Sequence, residues 1–438
     1  MLSIDVLKIP PFVNISTKKS RENSFIVRTL DPGFISNQDI SNRIFRSMIS
    51  DENDNIISIA PAKSLPNDNF LNAKFSNFSG KIISDSVKAE EIIEGTMINL
   101  FYVKSTGKWE IATKKSVGGN YHFFRNQYFS DLAEEQKTFL QMFLDGFDNT
   151  PKTLDGFNNP DKTLDECIDA IPGFDRSFCY SLVLQHPANH IVVPAAKPAI
   201  YLVHMCHIMS DNTGNPAYKY VEPNPELFKG TCIQFPRRYI ESFAIDNSME
   251  VSRNIYNDPT AFQNLFDNIR KTIENPLNSH MIPGIMITHL ETGFRTSFMN
   301  AKYEEIKILR GNNPNLHYQY LVLRKIDKVA LFLRYFPQYK TYFDRFETHF
   351  MAFVTRIHQL YINVHVLKIN TVADLTDKRD KYHVEKLHYE RYLPMIKASK
   401  DLKESNDLKP KITRKIVIEY LDSENVMVPL GTYDKPLV

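Results

Sequence analysis

The side chains able to do chemistry in this sequence are scattered cations and histidines, not one compact catalytic motif. His186, His190, His204 and His207 fall in one stretch and raise the question of a metal site. His204 and His207 lie three apart in AIYLVHMCHIM, a β-branched and aromatic run, so in a strand they face opposite sides. Ordinary core or edge histidines are the expected reading, and no metal ligand is assigned. Cys167, Cys179, Cys206 and Cys232 show no paired metal spacing, which fits a reducing, intracellular setting. The chain has no G-x-x-x-x-G-K-S/T loop, no G-x-G-x-x-G and no G-x-S-x-G, so the common phosphate cradles and the serine-hydrolase elbow are excluded. Beyond residue 300, aromatics stand beside cations, as in Arg334-Tyr335-Phe336 and Arg345-Phe346. Such pairs can stack bases and meet phosphates. Yet Phe332, Phe336, Tyr339, Phe343, Phe346 and Phe350 recur at three- or four-residue spacing, which predicts a buried helix face.

The elements that must position these groups divide near residue 300. The 438 residues are 42% hydrophobic and 24% charged, enough for a packed core and against wholesale disorder. No apolar run approaches the ~20 residues that span a bilayer, so no membrane is expected as a partner. Residues 1–130 read mostly as strands (SFIVRTL, IISIAP, GTMINLFYV, WEIATK), followed by a helix over 131–146. LDGFDNTPKT at 144–153 is repeated as LDGFNNPDKT at 154–163, and a third copy begins. Residues 144–167 are therefore read as a surface loop lengthened by duplication. FCYSLVLQHP, NHIVVP and AIYLVHMCHIM return to strand character. A helix is expected over 259–275, and GIMITHL with FRTSFM forms a strand pair. From 301 the pattern is helical, with a lysine-rich stretch at 397–415 and a short final strand in KIVIEYL. The expectation is an α+β domain over 1–300 and a mainly helical, basic domain over 301–438. The net charge of +2 hides an asymmetry, because residues 301–438 hold 24 basic and 17 acidic side chains. A polyanion such as RNA is one possible partner for that surface, and plain solvation is the other reading.

Five segments then occur in a telling order. They are Phe45-Arg46-Ser47 with Ala60-Pro61-Ala62-Lys63; Ile92-Ile93-Glu94-Gly95-Thr96; Thr113-Lys114-Lys115-Ser116; Gln185-His186-Pro187-Ala188-Asn189-His190-Ile191-Val192; and Pro283-Gly284 with Phe294-Arg295-Thr296-Ser297. Their order and spacing resemble the nucleotidyltransferase domain of ATP-dependent RNA ligases of the bacteriophage tRNA-repair type. The likeness covers roughly residues 40–300 and is of the degenerate kind typical of large DNA viruses. It implies an α+β adenylylation domain with two antiparallel sheets flanking a cleft. It also implies covalent catalysis, in which a lysine takes AMP from ATP with magnesium and passes it to an RNA end.

Carried over residue by residue, the resemblance places Ile92 at the nucleophilic lysine. Glu94 and Gly95 then match the acidic residue and glycine that follow it, and Val183 and Pro283 fall on two acids. Arg295 and Ser297 fall near the lysines that close on the phosphates. An isoleucine has no lone pair to adenylylate. Arg46, Lys63, Lys114 and Lys115 match cations that contact the nucleotide phosphates. The resemblance thus implies a catalytically degenerate relative that binds nucleotide or RNA ends, or serves as a structural or regulatory partner of another protein. It implies no certain cofactor, with ATP and magnesium expected only where the ligase site is retained. An alternative is an active ligase that uses a displaced lysine, Lys63 or Lys88, and a third reading is a protein-interaction module with a closed cleft. The expected location is intracellular, in the host cell or virion if the chain is viral.

Overall fold

A computed structural model describes residues 2–3, 12–21, 23–31, 41–71, 87–121, 137–147, 163–189, 191–210, 216–238, 281–311, 315–401 and 410–424. The described residues fall into two compact units, one running to Lys307 and the other beginning at Ile308.

The first unit mixes helices with largely antiparallel sheets. Its strands are β1 (Leu2–Ser3), β2 (Val13–Ser20), β3 (Asn23–Leu30), β4 (Met48–Ser50), β5 (Ile56–Ile59), β6 (Val87–Glu91), β7 (Thr96–Val103), β8 (Lys108–Ala112), β9 (Phe178–Gln185), β10 (Ala199–Ser210), β11 (Pro216–Val221), β12 (Ile233–Gln234), β13 (Gly284–His289) and β14 (Arg295–Met299). Three sheets are present among the described residues, where two were expected. One is seven-stranded, in the order β1-β11-β10-β9-β7-β8 with β12 parallel on β10. A second is β14-β13-β6, and the third is β2-β3-β4-β5.

Alternation along the large sheet builds a separate core on each face. Ile98, Leu100, Tyr180, Leu182 and Leu184 point to one side, with Trp109, α2 (Phe139–Asp145) and α3 (Leu164–Asp169). Phe101, Val103 and Cys179 point to the other, beneath residues of the two smaller sheets such as Phe25, Ile49, Ile285 and Phe298. Trp109 is fixed by α3, its backbone N–H donating to Asp165 and its indole N–H to Asp169.

The second unit is helical: α4 (Ala301–Arg310) leads into it, then α5 (Leu316–Lys325), α6 (Val329–Tyr335), α7 (Lys340–Tyr361), α8 (Lys378–Leu387), α9 (Leu393–Asp401) and α10 (Arg414–Ser423). On α7, Phe343, Phe346, Phe350, Phe353, Val354, Ile357 and Tyr361 are buried at helical spacing. The aromatic run is thus core, with Phe332 stacked on Phe343 at 4.9 Å.

Two local expectations are corrected. KIVIEYL lies in α10 and is no strand: Thr413 caps the helix by accepting from Ile416 N–H, and Val417, Tyr420 and Leu421 share a buried helical face. β-Branched residues favour strands only weakly, and here tertiary packing decides. NHIVVP is no strand either. Pro187–Asn189 forms a 3-10 turn and the backbone then bends, because its N–H groups are used by a carboxylate (below). The tandem repeat between 148 and 162, the helix expected over 259–275, residues 131–136 and residues 402–409 lie outside the described residues.

Candidate anion-binding site

Three backbone segments bring the predicted cations together. A 3-10 turn over Ser41–Arg46 anchors itself by burying Arg43, Ile44 and Phe45, and presents Arg46. The loop of residues 60–66 follows β5. Its amides donate to Ser47 (from Ala60, 2.9 Å), Arg43 (from Lys63, 3.1 Å) and Arg295 (from Leu65, 2.8 Å). Its carbonyls are used as well: Arg43 Nη1 donates to Ser64 O at 2.6 Å, and Arg295 Nε to Ala62 O at 3.3 Å. Two of its residues, Pro61 and Pro66, have no N–H to satisfy. The third segment is the turn after β8, where Lys114 O accepts from Ser47 Oγ at 3.0 Å. Lys63, Lys114 and Lys115 are exposed, Arg46 is half-buried and Arg295 is buried.

Burial, and for Lys63, Lys114 and Arg295 also the charge of Arg46, lowers the pKa values of this cluster. Burial lowers the pKa of Arg46. Partial burial lowers that of Lys63, helped by Arg43 and Arg46. Burial lowers that of Lys114, helped by Arg46, Lys115 and Lys63. Burial, then Arg46, pulls Arg295 down to about 9. Among the described residues no carboxylate forms an ion pair with Arg46, Lys63, Lys114, Lys115 or Arg295. Like charges gathered without a counter-charge cost free energy until an anion arrives, and arginines and lysines are the usual phosphate ligands.

The predicted catalytic positions meet around the β6–β7 connection. Ile92, half-buried, donates its N–H to Gly284 O at 2.9 Å, beside buried Pro283. Three residues on, Gly95 lies against β9: a Cβ there would stand 2.3 Å from Leu184 O and 2.8 Å from Val183 Cγ1. Only glycine allows that approach. Val183 is buried, paired with Met97 on one side and Tyr201 on the other.

Glu94 is buried and its carboxylate accepts from three successive amides, Ile191 (2.9 Å), Val192 (2.9 and 3.0 Å) and Val193 (3.0 Å). Consecutive amides of this kind form a nest for an anion, and here the protein supplies its own. Asn189 Nδ2 donates to Thr96 Oγ1 and Gln185 Nε2 to Glu94 O, tightening the same junction. The side chains at the expected metal-binding positions, Val183 and Pro283, have no oxygen to offer magnesium. Among the described residues no group of three His, Cys, Asp or Glu side chains could hold a metal.

His204, Tyr218, Tyr220 and Glu90 were not foreseen as neighbours of the cations, whereas Lys88 was named as an alternative nucleophile. Lys88 Nζ pairs with Glu90 at 2.8 Å in the interior, and His204 senses the charges of Arg295, Lys88 and Arg46. The signal that places His204 there is a strand irregularity that leaves no trace in residue type. His186 is instead committed, with Nε2 to Asp145 (3.0 Å) and Nδ1 accepting from Ala188 N–H (3.0 Å). His190 lies outside the described residues.

No protein-family model matches the chain, and no curated protein matches it. Among solved structures, an archaeal ATP-dependent RNA ligase in its form 1 is similar over 96% of this chain and 92% of its own, with a TM-score of 0.34 and 10% identity. Form 2 is similar over 94% and 91%, with a TM-score of 0.30 and 10% identity.

Proposed function

We propose that this chain is an RNA-ligase-like nucleotidyltransferase-fold protein, of the phage tRNA-repair kind, that has lost ligase chemistry and binds the phosphates of a nucleotide or an RNA end. The observation that carries the reading is the cluster Arg46, Lys63, Lys114 and Arg295, each with its pKa lowered, first by burial and in the last three also by Arg46, and without a carboxylate partner among the described residues. The order of the sequence motifs supports the family, and Ile92, Val183 and Pro283 support the loss of catalysis. Glu94 and Gly95 serve the junction between the β6–β7 connection and β9; the phosphate contacts fall to the cations.

One observation favours the alternative of an active ligase. The lowered pKa of Lys63 raises its share of free amine, the form that attacks a phosphorus centre. Incubation with labelled ATP and magnesium separates the two. A degenerate protein binds ATP reversibly, more weakly in an Arg46→Ala, Lys114→Ala double variant, and carries no label after denaturation. A labelled band that Lys63→Ala abolishes would establish the active ligase instead.

A further inference from the structure

Strand β10 carries a bulge between Leu202 and His204, where the pairing with β9 shifts register. Ile200 and Leu202 point into the core around Trp109, and beyond the bulge Met205 does so. The extra residue therefore turns His204 and Cys206 to the opposite face, toward Tyr218 and Tyr220 of β11. Bulges that re-aim a side chain are common beside functional sites.

His204 Nε2 lies 2.7 Å from the Tyr218 hydroxyl, with the two rings nearly parallel. The other nitrogen, Nδ1, is buried and has no partner among the described residues, and the same holds for the hydroxyl of Tyr220, whose ring lies 5.2 Å from the imidazole. His204 is 2% exposed and Tyr220 4%. In the tautomer in which Tyr218 donates to Nε2, Nδ1 carries the proton and is free to donate to a ligand, as the Tyr220 hydroxyl is. Arg295 adds a buried guanidinium whose one side-chain hydrogen bond among the described residues is to Ala62 O. The carboxylates that act on Tyr220, Glu90 and Glu222, are both engaged by Arg238, and Glu90 also by Lys88. The β13–β14 turn presses on the tyrosines at Gly293, where a Cβ would stand 2.7 Å from the Tyr218 hydroxyl.

We propose that His204 Nδ1, the Tyr220 hydroxyl and the Arg295 guanidinium form an inner subsite for a compact oxyanion, a phosphate group either free or at the end of a nucleotide's phosphate chain. All three offer donors, so the site suits an anion and repels a metal cation. The subsite adjoins the Arg46 cluster and rests on the proposed function for its nucleotide arm alone.

The test titrates inorganic phosphate, pyrophosphate, AMP and ATP into the wild-type chain, Tyr220→Phe, Tyr218→Phe and Arg46→Ala by calorimetry, with thermal melts of each without ligand. Wild type is expected to bind phosphate or pyrophosphate. Tyr220→Phe should weaken that binding about tenfold while melting at or above the wild-type temperature, since it deletes only a buried hydroxyl that has no partner among the described residues. Tyr218→Phe leaves Nε2 without its donor and should weaken binding as well. Phosphate binding without ATP or AMP binding keeps the subsite and sinks the nucleotide reading. ATP binding that needs Arg46 but is indifferent to Tyr220→Phe, or no phosphate or pyrophosphate binding in the wild type, overturns the subsite.

Discussion

Glu94 grips Val192 with both carboxylate oxygens, at 2.9 and 3.0 Å from one backbone N–H. The amides of Ile191 and Val193 add to the same grip, so one side chain clasps the β6–β7 connection to the segment after β9. Hydrogen bonds to a charged acceptor contribute about 1.5–3 kcal/mol each, and amides left without it lose much of that. Glu94→Ala is expected to cost about 3 kcal/mol in urea unfolding, with Glu94→Gln costing less because it keeps an acceptor. An Ala variant as stable as wild type would show that the clasp contributes nothing.

The clustered cations should be a burden in the absence of a ligand. Arg46 is the one charge that depresses Lys63, Lys114 and Arg295 alike. Its replacement by Met keeps apolar volume, removes that repulsion and is expected to raise the unliganded melting temperature by a few degrees, on the order of 1 kcal/mol. Added sulfate should stabilise the wild type more than the variant. An Arg46→Met chain that melts lower, with the same response to sulfate, would mean that the guanidinium has a structural role.

Much of the first unit's strand pattern is legible because β-branched and aromatic residues crowd segments such as Thr96–Val103 and Phe178–Gln185, each buried on both faces. The cations were legible as residue types, but what gathers them is the web of backbone bonds around residues 60–66, which no periodicity encodes. His204 is buried, in keeping with a core histidine, but its facing is not legible, because one extra residue in β10 reverses it and residue type does not announce a bulge. NHIVVP and KIVIEYL misled for a shared reason. Both are rich in β-branched residues, yet one is bent around Glu94 and the other is capped by Thr413 and packed as a helix.

The second unit has its own acid sensitivity. His383 is fully buried, its Nδ1 2.9 Å from the Tyr420 hydroxyl, and burial lowers its pKa to about 4, with Lys386 and Arg356 adding to the shift. The unfolded chain binds this proton near pH 6.5 and the folded chain only near 4. The stability is complete above pH 6.5 and is lost as the pH falls toward 4, by about 3 kcal/mol. Urea unfolding of wild type and of a His383→Phe, Tyr420→Phe double variant, at pH 7.0 and 4.5, checks this. The difference between the two chains should change by about 2 kcal/mol across that interval, and an unchanged difference would refute the assignment.

On the proposed reading, an amine placed at Ile92 should not by itself give adenylylation. Ile92 is half-buried with its backbone fixed on Gly284 O, so Ile92→Lys can seat a lysine without disturbing the strands. Transfer of AMP also needs a metal held against the phosphates, and the side chains at the two positions expected to hold it are Val183 and Pro283. Glu94, two residues along, has its oxygens taken up by three amides, and the charge of Arg237 acts on Glu91, the residue before Ile92. The expected outcome with labelled ATP and magnesium is a folded Ile92→Lys protein without a covalent label. A labelled band would place metal-binding oxygens elsewhere around Ile92 and overturn the reading of Val183 and Pro283 as positions that leave the metal unheld.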